Sequence, residues 1–565
     1  MTRWTLKPKP DPVLVNNLAE HLSVDISIAR LLVQRGITSF EEAKNFFRPD
    51  LAQLHDPFLM KDMHRAVERI QLAIQNKENI LVYGDYDVDG TTSVALMSSF
   101  LKVRYPNVAT YIPDRYDEGY GISYKGIDFA ADNDISLIIA LDCGIKAIEK
   151  VAYAKEKGID FIICDHHRPG PNIPAAVAVL DPKREDCAYP YDELCGCGVG
   201  FKLIQAIAAT ENEPIDSLLI YLDLVATAIG ADIVPITGEN RILAYHGLHV
   251  INIAPRKGIK SILGERQNIS ITDVVFIVAP RINAAGRMKH GQHAVNLLTE
   301  DDEGQSKIFA EEIEIYNTDR RSADQIITEE AKNQVIECRE EERFTTVVYQ
   351  ENWHKGVIGI VASRLTETWY RPTLVFTKSG ERLAASARSV KGFDVYEALE
   401  ACSEHIEQFG GHKYAAGLTL LESEYENFKR KFEEVVATSI DKHLLTPEIA
   451  IDTELEFEEI TPKFYRILKQ FAPFGPGNMS PVFLSRGLTD TGFGKCVGEG
   501  DKHLKCLVRQ HSGGPAFEVI GFNLGEKLDL IKNHQKFDAV YSLDENTWNG
   551  NTSIQLKLKD IRESV

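Results

Sequence analysis

The sequence predicts an α/β protein: a parallel-sheet domain joined by a long helix to a second α/β domain, with a small C-terminal β-barrel. Three observations predict it. Between residue 79 and about 235, short β-rich apolar runs alternate with helical stretches: NILVYG (79–84), SLIIAL (136–141), DFIIC (160–164) and AVAVL (176–180). That pattern is expected of buried parallel strands joined by helices. Residues 301–345 are densely charged, lack proline and carry one glycine, Gly304, which reads as one long helix with a solvated face. From about 448 the chain is mainly β with Gly-rich turns, as in a small sandwich or barrel.

Taken in order, residues 1–75 read as a helical, charged leader. Residues 76–300 form the first domain and 301–345 the connecting helix. Residues 346–445 return to α/β, with TTVVY at 345–349, a helix from 356, TLVFT at 373–377 and a Gly-rich segment near 410. The β-barrel occupies 446–565. The 565 residues suit three or four domains.

Hydrophobic residues make up 44% and charged residues 26%, which excludes a disordered or fibrous chain. No apolar run approaches the roughly 20 residues of a membrane span, and the N-terminus lacks the apolar core of a signal peptide. The nine cysteines form no CxxC pair. Reduced thiols and a cytoplasmic setting are expected. The net charge of −20 excludes coating nucleic acid by bulk charge. The acidity is regional, however: 301–345 is strongly negative and 461–510 net basic.

Polar residues follow the strands. Asp85-Tyr86-Asp87-Val88-Asp89-Gly90 places three carboxylates at alternate positions of a tight turn. Unpaired, they would repel one another, so a cation is the natural compensation. An EF-hand loop would need Glu at its twelfth position, here Leu96, and a preceding helix. An Asp-rich helix cap, with Asp89 capping the TTSVALMSSFL helix, does not require three Asp. Asp142 ends the second run, Asp165-His166-His167 the third, and Asp232 follows a further apolar segment. In open α/β sheets ligands bind at this carboxyl edge. Mixed Asp and His ligands without Cys suit Mn²⁺ or Mg²⁺. Their number suits two ions, an arrangement that promotes water attack on phosphorus.

DYDVDG (85–90), LDCG (141–144), DHH (165–167) and GAD (230–232) resemble, in order, the motifs of the DHH phosphoesterase superfamily. RINAAGRM (281–288), WHKGVIGIVASRL (353–365), SARS (386–389) and FGGHKYAAGLTL (409–420) resemble the RecJ-type single-stranded-DNA exonucleases. PFGPGN (473–478) and KHLK (502–505) are similar to that family's oligonucleotide-binding region. The resemblance spans roughly 50–565. It implies a DHH catalytic domain, a DHH-associated domain and an OB-like domain. It also implies degradation of single-stranded DNA from a 5′ end to 5′-mononucleotides with Mn²⁺ or Mg²⁺, in DNA repair and recombination. By the superfamily pattern Asp142 would bridge two ions, Asp87 would serve one, and Asp89, His166 and Asp232 the other. Asp85 would be an additional ligand, His167 would orient phosphate and Asp165 would support the histidines. Protein partners implied are single-strand-binding protein or a RecQ-type helicase, with the enzyme a monomer. Two departures stand out: the extra cysteine in LCGCGVG (194–200), and the lack of an extension after the β region that some relatives carry.

On the substrate side, Arg281 precedes an Asn-Ala-Ala-Gly turn that Arg287 closes, and either can grip phosphate or simply pair on the surface. The resemblance places 5′-phosphate recognition on Ser386 and Arg388, with Arg115 a further candidate. Gly410-Gly411-His412 reads as a flexible turn ending a helix, able to cup a phosphate or merely to cap. His354 faces either substrate or solvent. Trp353, Tyr414 and Phe474 are candidate base-stacking platforms, against the commoner core role. Lys463, Arg466, Lys469, Lys495, Lys502, Lys505 and Arg509 would line a salt-sensitive groove for a single strand, unless they are scattered surface charge. The strand would thread between the catalytic and 346–445 domains. The alternatives are another DHH phosphoesterase (a nanoRNase, a cyclic-dinucleotide phosphodiesterase or a pyrophosphatase) and a catalytically dead binding factor. Residues 448–565 argue against the first and the complete ligand set against the second.

Overall fold

The computed structural model describes residues 2–548 and 550–564. Its contacts divide the chain into two units, 57–232 with 250–447 and 2–56 with 233–249 and 448–565. Among the described residues no helix is long and apolar enough to cross a membrane.

Strand β1 (Arg3–Leu6) belongs to the second unit and is taken up below. The first unit holds two sheets. β2 (Asn79–Gly84), β3 (Val108–Tyr111), β4 (Ile135–Leu141), β5 (Asp160–Cys164) and β6 (Ala178–Leu180) form an all-parallel sheet in the order β3-β2-β4-β5-β6. The apolar runs are buried on both faces, because helices cover the sheet. In the second sheet, β7 (Thr346–Tyr349) and β8 (Thr373–Ser379) pair in parallel. β9 (Arg382–Arg388), β11 (Ala415–Leu421) and β10 (Gln408–His412) follow in antiparallel order. The long helix is Glu303–Glu337, shorter at its C-terminal end than the 301–345 expected from charge, and Asp302 caps it. It packs against Ala279–Met288 and against Ile358–Trp369.

Three local expectations are corrected here. Gly410–His412 is a strand, not a turn ending a helix. Its glycines have low strand propensity, and pairing with Ala415–Leu421 overrides that. RINAAGRM is helical within Ala279–Met288, not a turn. Its small residues serve close packing: a Cβ on Gly286 would stand 2.5 Å from the Tyr86 carbonyl oxygen. Trp353 is buried in the core beside the long helix, and its indole N–H donates to Glu330 at 2.7 Å. It offers no stacking face.

The second unit contains β1, β12 (Glu448–Ile451), β13 (Thr453–Glu454), β14 (Phe483–Asp490), β15 (Lys495–Val497), β16 (His503–Arg509), β17 (Ala516–Gly521), β18 (Phe537–Trp548) and β19 (Asn551–Glu563). Strands run β13-β14-β18-β19-β17-β16-β15, and an added β14–β16 pairing closes a barrel. The helical leader is corrected: β1 pairs in parallel with β12, from Arg3↔Glu448 to Leu6↔Ile451. Val15, Leu18, Ile28 and Leu32 share one core with Phe464, Phe471 and the barrel. The barrel unit therefore extends beyond 446–565. A four-residue strand whose partner lies some 445 positions away leaves no local pattern. The helices 12–22 and 26–33 do alternate as expected, but their apolar faces do not say what they cover.

Candidate metal centre and phosphate pocket

The parallel sheet ends in one register. Gly84 pairs with Leu141, Leu141 with Cys164 and Cys164 with Leu180. The next residue on each strand is an aspartate: Asp85, Asp142, Asp165 and Asp181, all buried. Four adjacent strand tips thus carry a row of carboxylates at strand spacing, where like charges are costly without protons or cations. Asp142 turns the chain in a left-handed conformation (φ 58°), which short polar Asp tolerates.

His166 Nε2 lies 3.2 Å from Asp142 Oδ1, 3.6 Å from Asp232 Oδ2 and 3.7 Å from Asp89 Oδ2. Donor atoms of Asp89, His166 and Asp232 fall within 4.8 Å of one another, as do those of Asp142, His166 and His167. Asp85 Oδ2, Asp142 Oδ1 and His166 Nε2 are buried with no hydrogen-bond partner. The unsatisfied Asp142 and His166 donors beside Asp89 and Asp232 fit hard divalent cations such as Mn²⁺ or Mg²⁺, while Asp85 and Asp87 fall outside these two groups.

The turn is held from two helices. Asp87, not Asp89, caps Val88–Arg104 by accepting from Gly90 N–H at 3.0 Å. Asp89 instead accepts from Gly196 and Cys197 N–H, both at 2.7 Å, at the start of helix Gly196–Thr210. The LCGCGVG departure is therefore part of the site. Gly196 is required by proximity, since a Cβ there would stand 2.6 Å from Asp142 Cβ. Backbone donors of this kind leave no side-chain signature, so sequence reasoning misses them.

Burial and mutual repulsion push the carboxylates up. Asp89 rises to about 7, from desolvation and then the Asp87 charge. Asp232, which caps helix Leu222–Ala231, rises to about 8 for the same reasons with Asp89 acting first. Asp85 and Asp142 are raised well above the carboxylate range by burial and then by neighbouring Asp. Burial would raise Asp165 too, but a 2.7 Å hydrogen bond with His167 Nδ1 and the His167 charge hold it at about 2. His167 in turn resists burial and rises to about 9 through Asp165, Asp232 and Asp89. Its Nε2 meets Tyr120 Oη at 3.1 Å. Burial and the His167 charge lower His166 to about 3, keeping it a neutral ligand. The paired histidines thus divide into a metal donor and a fixed cation.

A second, cationic cluster lies within the same unit. Arg388 Nη1 donates to Ser386 Oγ at 3.0 Å. Arg115 lies 4.5 Å over the Tyr86 ring. Burial, then Arg115, lowers Arg388. Burial, then Arg115, Arg388 and Arg320, lowers Arg287 to about 10, against the Asp87 charge. Among the described residues none of these four arginines has an ion pair within 4 Å. His354 stands edge-on to Tyr116, and its Nδ1 accepts from Gly356 N–H at 3.2 Å. Burial, then the Arg388 and His167 charges, lowers His412. Gly411 (φ 147°) admits no side chain, because a Cβ would meet the Ala415 carbonyl oxygen at 2.4 Å. Arg281 differs: its Nε donates to Glu314 on the long helix at 2.5 Å and its Nη1 to Ile277 O. Arg320, on the long helix, is a cation that the charge pattern of 301–345 hides.

On the barrel, Lys495 pairs across from Lys505, Lys505 from Ile520 and Ile520 from Lys557, giving one outward row. Phe522 is exposed beside it, with Lys557 5.6 Å from its ring and His503 edge-on. Lys469 pairs with Glu545, and Lys463 donates to Ser23 O. Phe474 packs on the core, whereas Tyr414 is exposed.

The sequence matches family models described as the DHH family N-terminal domain (79–229), the DHHA1 domain (342–438) and the RecJ OB domain (451–560). It is 36% identical over 564 residues to the single-stranded-DNA-specific exonuclease RecJ of Bacillus subtilis (strain 168), covering 99% of this chain and 70% of that one. Identity to the protein of that name from Escherichia coli (strain K12) is 34%, over 94% of this chain and 95% of that one. The crystal structure of RecJ in complex with Mn²⁺ from Thermus thermophilus matches with a TM-score of 0.85 at 27% identity, covering 100% of this chain and 80% of that one. With its buried Asp and His donors at the strand tips and these matches along its length, the chain belongs to the RecJ family of single-stranded-DNA-specific exonucleases.

Proposed function

We propose that this chain is a metal-dependent exonuclease that degrades single-stranded DNA from a 5′ end to 5′-mononucleotides, in DNA repair and recombination. The observation that carries the reading is the pair of buried, unsatisfied donors on Asp142 and His166 beside Asp89 and Asp232, with a further unsatisfied oxygen on Asp85 at the adjacent strand tip. Asp85, Asp87, Asp89, Asp142, His166 and Asp232 would hold two Mn²⁺ or Mg²⁺ ions. Such ions, when bound, activate water and screen the anionic transition state of phosphodiester hydrolysis.

The chain's own groups supply the rest. His167, kept cationic by Asp165 and braced by Tyr120, holds a phosphate oxygen beside the centre. Ser386, Arg388 and Arg115, with His354 and His412, receive the terminal 5′-phosphate. Unpaired arginines facing one another are stabilised when a dianion enters. Gly410, where a Cβ would meet nothing within 4 Å, leaves the backbone beside Gly411 open to the strand. The Lys495–Lys505–Lys557 row and Phe522 supply charge and stacking to a single strand on the barrel. A cytoplasmic monomer engaging single-strand-binding protein or a RecQ-type helicase completes the reading.

Arg388→Ala is expected to lower kcat/KM about 10-fold or more on 5′-phosphorylated strands and far less on 5′-hydroxyl strands. Equal loss on both would remove the pocket assignment. Polarity is tested with 5′- and 3′-labelled single strands, with and without Mn²⁺. Early release of a labelled mononucleotide only from the 5′-labelled strand is expected, and early release from the 3′ label would reverse the reading.

A further inference from the structure

We propose that Glu118 is a positioning residue of the phosphate pocket: it braces the loop that carries Arg115 and so sets where that guanidinium meets the 5′-phosphate. The inference rests on the pocket reading above and extends it to a residue that touches no substrate.

The loop runs from β3 to helix Tyr124–Asp132. Arg115 lies in its first turn, with its guanidinium over the Tyr86 ring. Among the described residues it forms no hydrogen bond or ion pair of its own. A side chain without a polar anchor takes its position from the backbone beneath it, and that backbone is held closely. Asp114 Oδ1 accepts from Tyr116 N–H at 2.7 Å and from Asp117 N–H at 2.9 Å, an Asx turn around Arg115. The Asp114 carbonyl oxygen accepts from Glu118 N–H at 2.9 Å. Tyr116 Oη donates to the Arg287 carbonyl oxygen, which ties the turn to the cationic cluster.

Glu118 joins this turn to both ends of the loop. Its Oε1 accepts from Asp114 N–H at 2.7 Å, closing the turn from the far side. Its Oε2 accepts from Tyr111 Oη at 2.9 Å, on β3, and from Ser123 Oγ, which caps the following helix. Tyr83 on β2 supports the exit in turn: its Oη accepts from Ser123 N–H at 3.1 Å and donates to Gly121 O at 2.9 Å. One carboxylate therefore fixes the loop's entry, turn and exit through three neutral donors. Alanine at 118 would release all three and leave Arg115 on an unbraced turn, and a catalytic-site group displaced by about 1 Å loses much of its effect. A loss of folded protein would lower activity on every substrate, whereas a displaced Arg115 lowers it where a 5′-phosphate is present.

The test uses the full-length protein and the ratio of kcat/KM on 5′-phosphorylated to 5′-hydroxyl single strands, in which any unfolded fraction cancels. Glu118→Ala is expected to lower kcat/KM about 10-fold on phosphorylated strands and less than about threefold on hydroxyl strands. Glu118→Gln should keep most of the preference, because its carbonyl can still accept from Asp114 N–H while its NH₂ donates to the two hydroxyls. Arg115→Ala should show the same selectivity as Glu118→Ala. In the Arg115→Ala background, Glu118→Ala should change the ratio less than about twofold, since its effect passes through Arg115. Equal loss on both ends, or an undiminished Glu118→Ala effect in that background, would overturn the proposal. If Arg115→Ala itself spares the preference, the pocket reading of Arg115 fails and the proposal with it. A selective loss for Arg115→Ala but not for Glu118→Ala overturns the proposal alone.

Discussion

Replacing Asp142 with alanine is expected to lower turnover about 1,000-fold or more, several kcal/mol of transition-state stabilisation, while single-strand binding stays within a few-fold. Asp142 occupies the centre of the row of strand-tip carboxylates. Its Oδ1 is buried without a hydrogen-bond partner and lies 3.2 Å from His166 Nε2. No neighbouring side chain can take its place, because Gly196 closes against it. Asp87→Ala should lose activity alike if Asp87 serves an ion as proposed. Loss of folding would be the trivial explanation, and the electrostatics argue against it. Asp142 is a buried carboxylate raised by burial and by Asp89, Asp87 and Asp232, so removing it relieves repulsion. Asp142→Asn keeps a residue that tolerates the left-handed backbone and should be as inactive as alanine. The metal-free Asp142→Asn variant should melt no lower than the metal-free wild type at about pH 8, whereas Asp87→Ala also removes the cap of helix Val88–Arg104 and should melt lower. Near-normal digestion by any of them would sink the ligand assignment.

The second large effect is proton–metal competition. Asp89 and Asp232 titrate at about 7 and about 8 in the folded, metal-free protein, against 3.8 for an ordinary aspartate. An ion must displace those protons. Affinity for Mn²⁺ should therefore rise on the order of 100-fold between about pH 6 and pH 8, measured by calorimetry in a non-coordinating buffer. Stability follows the opposite sign without metal. A carboxyl whose folded pKa is raised binds more protons folded than unfolded. Its contribution is complete below about 4 and is lost as pH climbs through about 7 to 8. His167, raised from 6.5 to about 9, loses its contribution over an overlapping window. His166, lowered from 6.5 to about 3, matters only on the acid side. Between about pH 6.5 and 8 the metal-free melting temperature should fall, and the increment on adding Mn²⁺ should grow. A metal increment independent of pH would show that these carboxylates are not the ligands.

The strands of the catalytic sheet were legible because parallel strands buried on both faces become continuous apolar runs, and NILVYG, SLIIAL and DFIIC lie within a residue of the observed limits. Asp85, Asp142 and the DHH segment could be placed at strand ends for the same reason. Asp181 could not, because AVAVL is a weak run of which only Ala178–Leu180 pairs, and its place in the row depends on register. RINAAGRM and the Gly-Gly-His segment look like turns in sequence, since glycine and alanine serve close packing as readily as chain reversal. A Cβ contact such as that of Gly286 with Tyr86 is visible only when both elements are in place.

By itself the sequence determined which segments become strands, which chemical groups stand at their ends and which family they belong to. These follow from local periodicity and from the residue types that phosphoryl chemistry requires. Only the tertiary structure decided that Asp89 rests on the backbone of Gly196 and Cys197, that β1 completes a pair with β12, and that His166 is a neutral donor while His167 stays charged. Those outcomes depend on distance and burial between groups far apart in the chain, and Coulomb energy, desolvation and backbone hydrogen bonding act through space rather than along the sequence.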